Sequence, residues 1–545
     1  MDEEGASSAG PVDGRGAMDP VIIIGGGPVG QTAALLLARW GVPVVVLDRR
    51  PARDLAGSKA ICQQRDVLDV WAAVGAGAVA DEGLTWTTAR TYYRGRELFS
   101  WSFADPGASP LPPFVNISQS RTEEILDAAI ARVPHIDVRW GHEVVGLEQD
   151  ATGVTVTCAG GAVLRGPYVL ACTGAHGGVV REALGLSFEG DSFDDQFLIC
   201  DIRADLPGWQ DERRFYFDPP WNPGRQVLIH PCPGSTFRID WQVPPEFDLA
   251  AEEASGGLGR RIRQVIGDRP YELVWHSVYR FHSRAVDRMR AGRVLLAGDC
   301  AHLVAPFGAR GLNSGVLDAE NATWKIAYVL RGWAPEELLE SYQAERHPAC
   351  LENLGITAAT MRFLIPRDEE ERRHRRATLE AAALDPERAA RTVDSGRFAE
   401  PFWYVDSPLT TPEPGRPFTG RPPKGRSHPP IPGLILPDAP IAAAGATRLR
   451  EIVRSGVTVL LCGDAPGLAD AARAATPSPV SVRTLAELDP GGELAELLGA
   501  EPGEAWVIRP DAHIAAILPR PDEASLCAAI HRALALPEAG ASGVR

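Results

Sequence analysis

The sequence predicts an α/β protein in three parts, and three stretches carry that prediction. The apolar run Val21–Ile24 breaks into Gly25-Gly26-Gly27, an Ala- and Leu-rich segment over 31–40 follows and stops at Gly41, and 42–47 is apolar again. That is a buried strand, a tight turn, a helix with a glycine stop and a second strand, the order of a Rossmann-like βαβ unit. Between 195 and 279, apolar residues alternate or cluster in short runs (197–203, 213–217, 226–230, 236–243) with little helical periodicity. This predicts a sheet-based middle domain. Beyond a Pro- and Gly-dense stretch at 401–437, strand-like runs at 457–462, 480–484, 505–509 and 514–518 are interleaved with helix-like ones, which predicts a third, αβ domain.

Residues 1–19 are small, polar and acidic and read as a disordered tail, not a secretory signal. The first domain is expected to be discontinuous, covering 20–194 and 280–398. Further strands are expected at 144–147, 154–158, 168–172 and 294–297. Helices are expected at 315–330 and 336–363, with a charged, solvent-facing one at 367–395. The middle domain takes 195–279, a linker 399–432 and the last domain 433–545.

Lys and Arg number 55 against 71 Asp and Glu, a net charge of −16 that argues against nucleic acid as a partner. No apolar run approaches ~18 residues, so no membrane span is expected. The nine cysteines are widely spaced without a CxxC, so neither a disulfide framework nor a metal site follows, and a cytoplasmic setting fits best. Cys462 and Cys527 in the last domain are not a redox pair, and packing or dimer contacts are the better reading there. The chain is expected to be a monomer or homodimer.

Two motifs carry chemistry. In Gly25-x-Gly27-Pro28-x-Gly30 the glycines permit a tight turn and close approach of a pyrophosphate, and the helix N-terminus offers free N–H groups. Asp48 ends the next strand 18 residues after Gly30, with Arg49 beside it, where a carboxylate reaches ribose hydroxyls. The second motif follows the strand at 294–297: Gly298-Asp299, then Pro306, Gly308, Ala309-Arg310-Gly311-Leu312-Asn313 and Gly315. Its glycines let backbone lie against a planar ring. A helix starting near Leu312 would aim N–H groups at that ring and stabilise negative charge on it.

Together these motifs resemble the class A flavoprotein monooxygenases, the p-hydroxybenzoate hydroxylase superfamily, over 21–365. The long form resembles the 3-(3-hydroxyphenyl)propionate and polyketide aromatic hydroxylases, whose C-terminal domain is thioredoxin-like. The resemblance implies FAD as cofactor, with NADPH or NADH and O2 as co-substrates. It also implies hydroxylation of a small phenolic or polyketide-derived aromatic through a flavin hydroperoxide. Same-scaffold epoxidation or Baeyer–Villiger insertion and a non-catalytic ligand carrier are the alternatives, whereas the WxWxIP motif of flavin halogenases is missing. Carried over, Asp299 binds the ribityl chain, Pro306 packs near the isoalloxazine, Gly311, Leu312 and Asn313 give it backbone groups, and Gln119 is a further FAD contact. Tyr342-x-x-Glu345-Arg346-x-Pro348 matches the stretch that closes the FAD domain.

Three positions depart from the family. Thr173 stands where an Asp is usual, which bears on nicotinamide handling. Lys59 replaces a pyrophosphate-binding Arg and so lacks the bidentate fork. Arg310 replaces a Gln and is read either as positive charge near the flavin or as a surface salt bridge. The substrate pocket is expected among Phe215, Tyr216, Phe217, Trp221, His230, Arg238, Trp241 and Tyr279, with Tyr216 or His230 deprotonating a phenol or holding its phenolate. Alternation puts Phe215 and Phe217 on one strand face and Tyr216 on the other.

Overall fold

The computed structural model describes residues 18–54, 59–102, 105, 108–393, 400–422, 428–443 and 445–537. Residues 1–17 of the expected tail, Ser58 beside Lys59, and 399 and 423–427 of the expected linker lie outside the described residues.

The first domain holds a six-stranded sheet in the order Arg290–Ala291, Val294–Leu296, Val169–Ala171, Val21–Ile24, Val44–Asp48, Ile136–Trp140. The last five are parallel. Every residue of Val21–Ile24, Val44–Asp48 and Val169–Ala171 is buried, as strands covered on both faces require. Their C-terminal ends share one edge, and the loops there carry Gly25–Gly30, Thr173 and Gly298-Asp299, where open parallel sheets bind ligands. The first helix, Pro28–Arg39, starts ahead of the expected 31, because Pro28 lacks the N–H a first-turn residue leaves unused. It packs against the helix Gly311–Leu330.

An eight-stranded sheet forms a second layer, in the order His302–Leu303, Tyr271–Val286, Phe188–Ala204, Thr236–Val243, Gln226–Cys232, Glu212–Phe217, Thr88–Tyr93, Arg96–Ser102. It reaches beyond the expected 195–279. The hairpin 88–102 joins one edge, and the boundaries at 195 and 280 fall inside the 17- and 16-residue strands Phe188–Ala204 and Tyr271–Val286. These strands shift register between Ser192 and Gln196, so they continue from one domain into the other instead of ending at a linker. One face of this sheet, called inner here, packs Phe197, Phe215, Phe217 and Leu228 against Ala305, Phe307, Met361 and Leu364 of the first domain. The outer face packs Leu198, Ile229, Ile239 and Trp241 against Leu258, Ile262 and Ile266 of the helix Gly257–Ile266.

In the last domain Val457–Leu461 lies parallel to Val480–Thr484 and antiparallel to Ala505–Ile508, which pairs antiparallel with Ile514–Leu518. One side of this sheet buries Val457, Val459 and Val507 against Trp324 and Tyr328 of the helix Gly311–Leu330. The expected solvent-facing helix at 367–395 is two helices, Glu369–Leu384 and Pro386–Thr392. Among the described residues no helix is long and apolar enough to cross a membrane.

Candidate active site

The first glycine loop is shaped by two contacts that admit no side chain. A Cβ on Gly25, whose φ is +109°, would lie 2.3 Å from the Cys172 carbonyl oxygen, and one on Gly30 would lie 1.9 Å from that of Gly25. At Gly27 nothing lies within 4 Å of where a Cβ would stand, so the loop leaves open space on its outer side. No side chain caps the helix that begins at Pro28, and its first N–H groups are left for a ligand. Arg53 steadies this loop, donating to the Gly26 carbonyl at 2.6 Å and to Asp127 at 2.6 and 2.7 Å. Asp48 is already engaged. One oxygen accepts the Gly26 N–H and Arg50 Nη2, the other the Arg50 backbone N–H and Nε, all at 2.8–2.9 Å. Burial alone would raise this carboxyl, but the Arg50 and Gly26 donors hold it below the usual range. Arg50, not the exposed Arg49, is its partner, and a ribose hydroxyl would share or displace Arg50.

The second motif completes the cleft. Gly298 has φ +62°, and a Cβ on Gly315 would lie 2.8 Å from Val29 and 3.0 Å from Gly298 Cα, so these glycines let the two helices and the motif loop meet. Asp299 is exposed to solvent although protein surrounds it, so it stands on the floor of a cleft. That enclosure holds its carboxyl above the usual range, against the pull of His302 and Lys59. The helix Gly311–Leu330 has no side-chain cap, and Gly311 meets open space, so its first N–H groups are also unspent. Pro306 is exposed and Leu312 half-buried on the same rim. Asn313 spends its side chain on the scaffold, donating to the Cys62 and Ala309 carbonyls and accepting the Gln64 N–H, which leaves only its backbone for a ligand. Gln119 opens the helix Gln119–Ile130 and accepts the Ala60 N–H at 3.1 Å, fixing the loop that carries Lys59. A dinucleotide with a planar ring fits this arrangement. It offers two uncapped helix ends, glycines that face open space where backbone must be approached, and a carboxylate on the floor between them.

Beneath the motif lies a buried ionic network that sequence reasoning missed. Asp318 accepts the Gly298 N–H at 3.0 Å, His302 Nε2 at 2.6 Å and Arg346 Nε at 2.7 Å. Against the cost of burial, Arg346 and His302 bring its carboxyl down to about 2. Tyr342 donates to the Leu296 carbonyl at 2.6 Å, so the Tyr342–Arg346 stretch holds the strand that delivers Asp299. Thr173 sits at the strand edge beside Gly25, but its hydroxyl is buried. A Cβ on Gly177 would lie 2.7 Å from that hydroxyl, 2.8 Å from Cys300 Sγ and 2.7 Å from Arg181 Nη1, so the three converge there. Arg310 is not at the surface. It is 2% exposed and donates to Asn353 Oδ1 at 2.6 Å, tying the start of one helix to the helix Glu340–Leu364.

The inner face of the eight-stranded sheet is turned toward the second motif, and this corrects the expected substrate residues. Tyr216 is on the outer face, stacked on Tyr92 at 4.5 Å, with burial raising its hydroxyl. Trp221 and Trp241 belong to that face too. His230 and Arg238 are paired across adjacent strands, and Asp201 and Trp275 continue the row on the next two. This is the inner face, which Phe215 and Phe197 share. Arg238 forms a buried bidentate pair with Asp201 at 2.8 Å and donates to the Lys59 carbonyl at 3.0 Å, which places this row beside the cleft. Burial, with Arg213 and Arg238, keeps His230 well below the usual histidine range, so the ring is neutral. Arg213, Asp201 and Asp240 were not anticipated. A charged residue in an alternating strand reads as solvent-facing, and only the register shows these pointing inward.

A glycine-cradled βαβ unit, a second glycine-lined helix end and a sheet whose aromatic face packs on the second motif define a flavoenzyme of the two-layer type. Residues 18–354 match the family model described as FAD binding domain, and 429–537 the one described as aromatic-ring hydroxylase, C-terminal. The chain belongs to this FAD-binding family of class A flavoprotein monooxygenases. It is 29% identical over 354 residues to a 3-(3-hydroxy-phenyl)propionate/3-hydroxycinnamic acid hydroxylase of Mycobacterium sp. (strain JLS), covering 64% of this chain and 60% of that one. The chain thus spans about three-fifths of the length of that relative. It is 32% identical to the rifampicin monooxygenase of Streptomyces venezuelae over 362 residues, 64% of this chain and 72% of that one. Among solved structures it resembles the flavin-dependent monooxygenase PieE in complex with FAD and substrate. The TM-score is 0.81 at 25% identity, with 96% of this chain and 100% of that one covered. The fold is shared with aklavinone-11 hydroxylase, at TM-score 0.76 and 24% identity over 95% of this chain and 99% of that one.

Proposed function

We propose that this protein uses FAD, NAD(P)H and O2 to hydroxylate an aromatic substrate bearing a phenolic hydroxyl. The observation that carries the reading is the cleft itself, where two uncapped helix ends and Asp299 are joined, through the Lys59 loop, by the polar row of Asp201, His230 and Arg238, and the buried Phe197, Phe215 and Phe217 pack behind it against Ala305 and Phe307 of the second motif. The loop Gly25–Gly30 and the helix end at Pro28 hold the pyrophosphate, with Lys59 and Gln119 alongside. Asp299 takes a ribityl hydroxyl, and the N–H groups of Gly311, Leu312 and Asn313 hold the polar edge of the ring. When bound, FAD takes reducing equivalents from the nicotinamide and supplies one oxygen atom of O2 to the substrate. The hydroxyphenyl and hydroxycinnamic acids in the names of the Mycobacterium relatives suggest the substrate class. The αβ order of the last domain, with one parallel and two antiparallel pairings, supports a thioredoxin-like reading, and nine free thiols suit a reducing cytoplasm.

The test is direct. The purified protein should be yellow and release free FAD on denaturation. Phenols and polyketide-like aromatics should accelerate its flavin reduction by NAD(P)H in stopped flow and gain one oxygen atom. A protein that cannot be reconstituted with FAD would sink the reading. FAD binding without NAD(P)H oxidation would favour a ligand carrier.

A further inference from the structure

Among the buried polar atoms of the inner sheet face that have no partner, Asp240 Oδ1 and His230 Nδ1 stand together in the polar row. The register makes them diagonal neighbours, since His230 pairs with Arg238 and Leu228 with Asp240. Both residues keep part of their surface exposed although protein encloses them on most sides, while these two atoms themselves are covered, and the Arg238 contact to the Lys59 carbonyl sets the row beside the cleft. Unsatisfied polar atoms at such a place are costly unless something satisfies them. The groups around Asp240 are Arg238 on its own strand, Asp201 and Cys200 on the next, His230 and Cys232 on the other side, and Arg213 beyond them. Asp201 is spent on Arg238 through two hydrogen bonds. Asp240 is therefore the carboxylate of this row with an oxygen to offer, and two guanidinium groups stand near to favour an anion beside it.

We propose that Asp240 is the proton acceptor for the substrate's phenolic hydroxyl, with the imidazole of His230 as the second hydrogen-bonding group at that oxygen. In the step, the substrate O–H bond breaks, the proton forms an O–H bond at the Asp240 carboxylate, which turns about its Cβ–Cγ bond to bring an oxygen to the hydroxyl, and the electron pair stays on the phenolate oxygen, enriching the ring. The proton returns to the product oxygen before release, and no redox partner is needed. Burial suits Asp240 to this role, pushing its carboxyl up to about 7, so that it gains and loses a proton near neutral pH. The inference rests on the hydroxylase reading above and adds which residue meets the hydroxyl.

The test uses the FAD holoprotein and two probes of the same ring, 4-nitrophenol and 4-nitroanisole, the second without an ionisable proton. Above the Asp240 titration, at about pH 8.5, 4-nitrophenol binds as the phenolate. Asp240 must then be protonated beside it, so the wild type should take up close to one proton per probe bound, read by calorimetry in buffers of different ionisation enthalpy. Asp240→Asn should take up none, 4-nitroanisole should give none with either protein, and Tyr216→Phe, on the outer face, should behave as wild type. If Asp240→Asn does not fold, the two probes on the wild type still decide the matter. Equal proton uptake in wild type and Asp240→Asn, or none in the wild type, overturns the assignment. So does failure of both probes to bind. If that same holoprotein nevertheless oxygenates aromatics, the hydroxylase reading stands without Asp240, and if it oxygenates none, both fall.

Discussion

Asp48 ends one strand of the six-stranded sheet and Asp299 lies in the turn after another, yet they meet the cofactor site on different terms. Asp48 has its acceptor positions filled by Arg50 and the Gly26 N–H, so it shapes the loop and touches a ligand only in competition with Arg50. Asp299 is open on the cleft floor. Asp299→Ala should therefore weaken FAD by about 1–3 kcal/mol, and more than Asp48→Ala does, because it leaves a buried ribityl hydroxyl unpaired. Fluorescence titration of the apoproteins measures both, and a larger loss for Asp48→Ala would mean the adenosine end dominates. Thr173 calls for the opposite expectation from its family position. Its buried hydroxyl faces Cys300 and Arg181, so a carboxylate in Thr173→Asp would pair with Arg181 instead of meeting the nicotinamide. Flavin reduction should stay within about threefold of wild type, and a change of tenfold or more, about 1.4 kcal/mol in barrier, would put residue 173 in the nicotinamide's path. The cofactor residues were legible in the sequence because backbone geometry forbids all but glycine at Gly25 and Gly30. Asp240 was not, because its meaning comes from neighbours 39 residues back and 10 residues back, at Asp201 and His230, which only strand pairing brings together.

At the scale of elements, the helices Pro28–Arg39 and Gly311–Leu330 set the cleft by how closely they approach. A methyl on Gly315 would meet Val29 and the Gly298 backbone. Val29 can turn aside, but Gly298 is backbone in the motif that carries Asp299. Gly315→Ala is thus expected to cost about 1–3 kcal/mol of stability by overpacking and to lower FAD affinity in the same variant, checked by thermal unfolding and by FAD titration. A stability loss with unchanged FAD affinity would show that the loop absorbs the shift without moving Asp299. Both helices and the parallel strands beside them were readable, because apolar periodicity and glycine stops lie within a few residues of each other. The hairpin 88–102 was not. Its alternation is clear in the burial of Ala89, Thr91 and Tyr93, but those residues are Ala, Thr and Tyr, so the sequence shows no apolar stripe, and its parallel partner, Glu212–Phe217, lies more than a hundred residues away.

At the scale of the whole molecule, the last domain is tied to the first through buried charges that lead back to the cleft. Glu345 accepts Arg509 at 2.5 and 3.0 Å, Lys325 at 2.7 Å and Ser407 at 2.5 Å, and Arg346, the next residue, holds Asp318 and through it the Gly298 N–H. A second cluster sets Asp69 of the first domain among Arg448, Arg450 and Arg454 of the last. Removing one member strands the others in the interior. Glu345→Gln should cost about 3–5 kcal/mol and weaken FAD as well, since the same helix turn supports both ends of the chain of contacts. Acid should act by the same route. Arginine neighbours hold the carboxyls of both Asp69 and Asp318 at about 2, below the unfolded value near 3.8. Each then contributes stability that is fully present above about pH 4 and is lost as pH falls toward 2, about 2–3 kcal/mol apiece. On acidification the domains should therefore separate between about pH 4 and 2, and FAD should leave in the same transition. Following flavin fluorescence and pepsin cleavage between the domains in one titration decides it. If FAD is released well above the pH at which the linker becomes cleavable, the ionic path from Arg509 to Gly298 does not couple the third domain to the cofactor site.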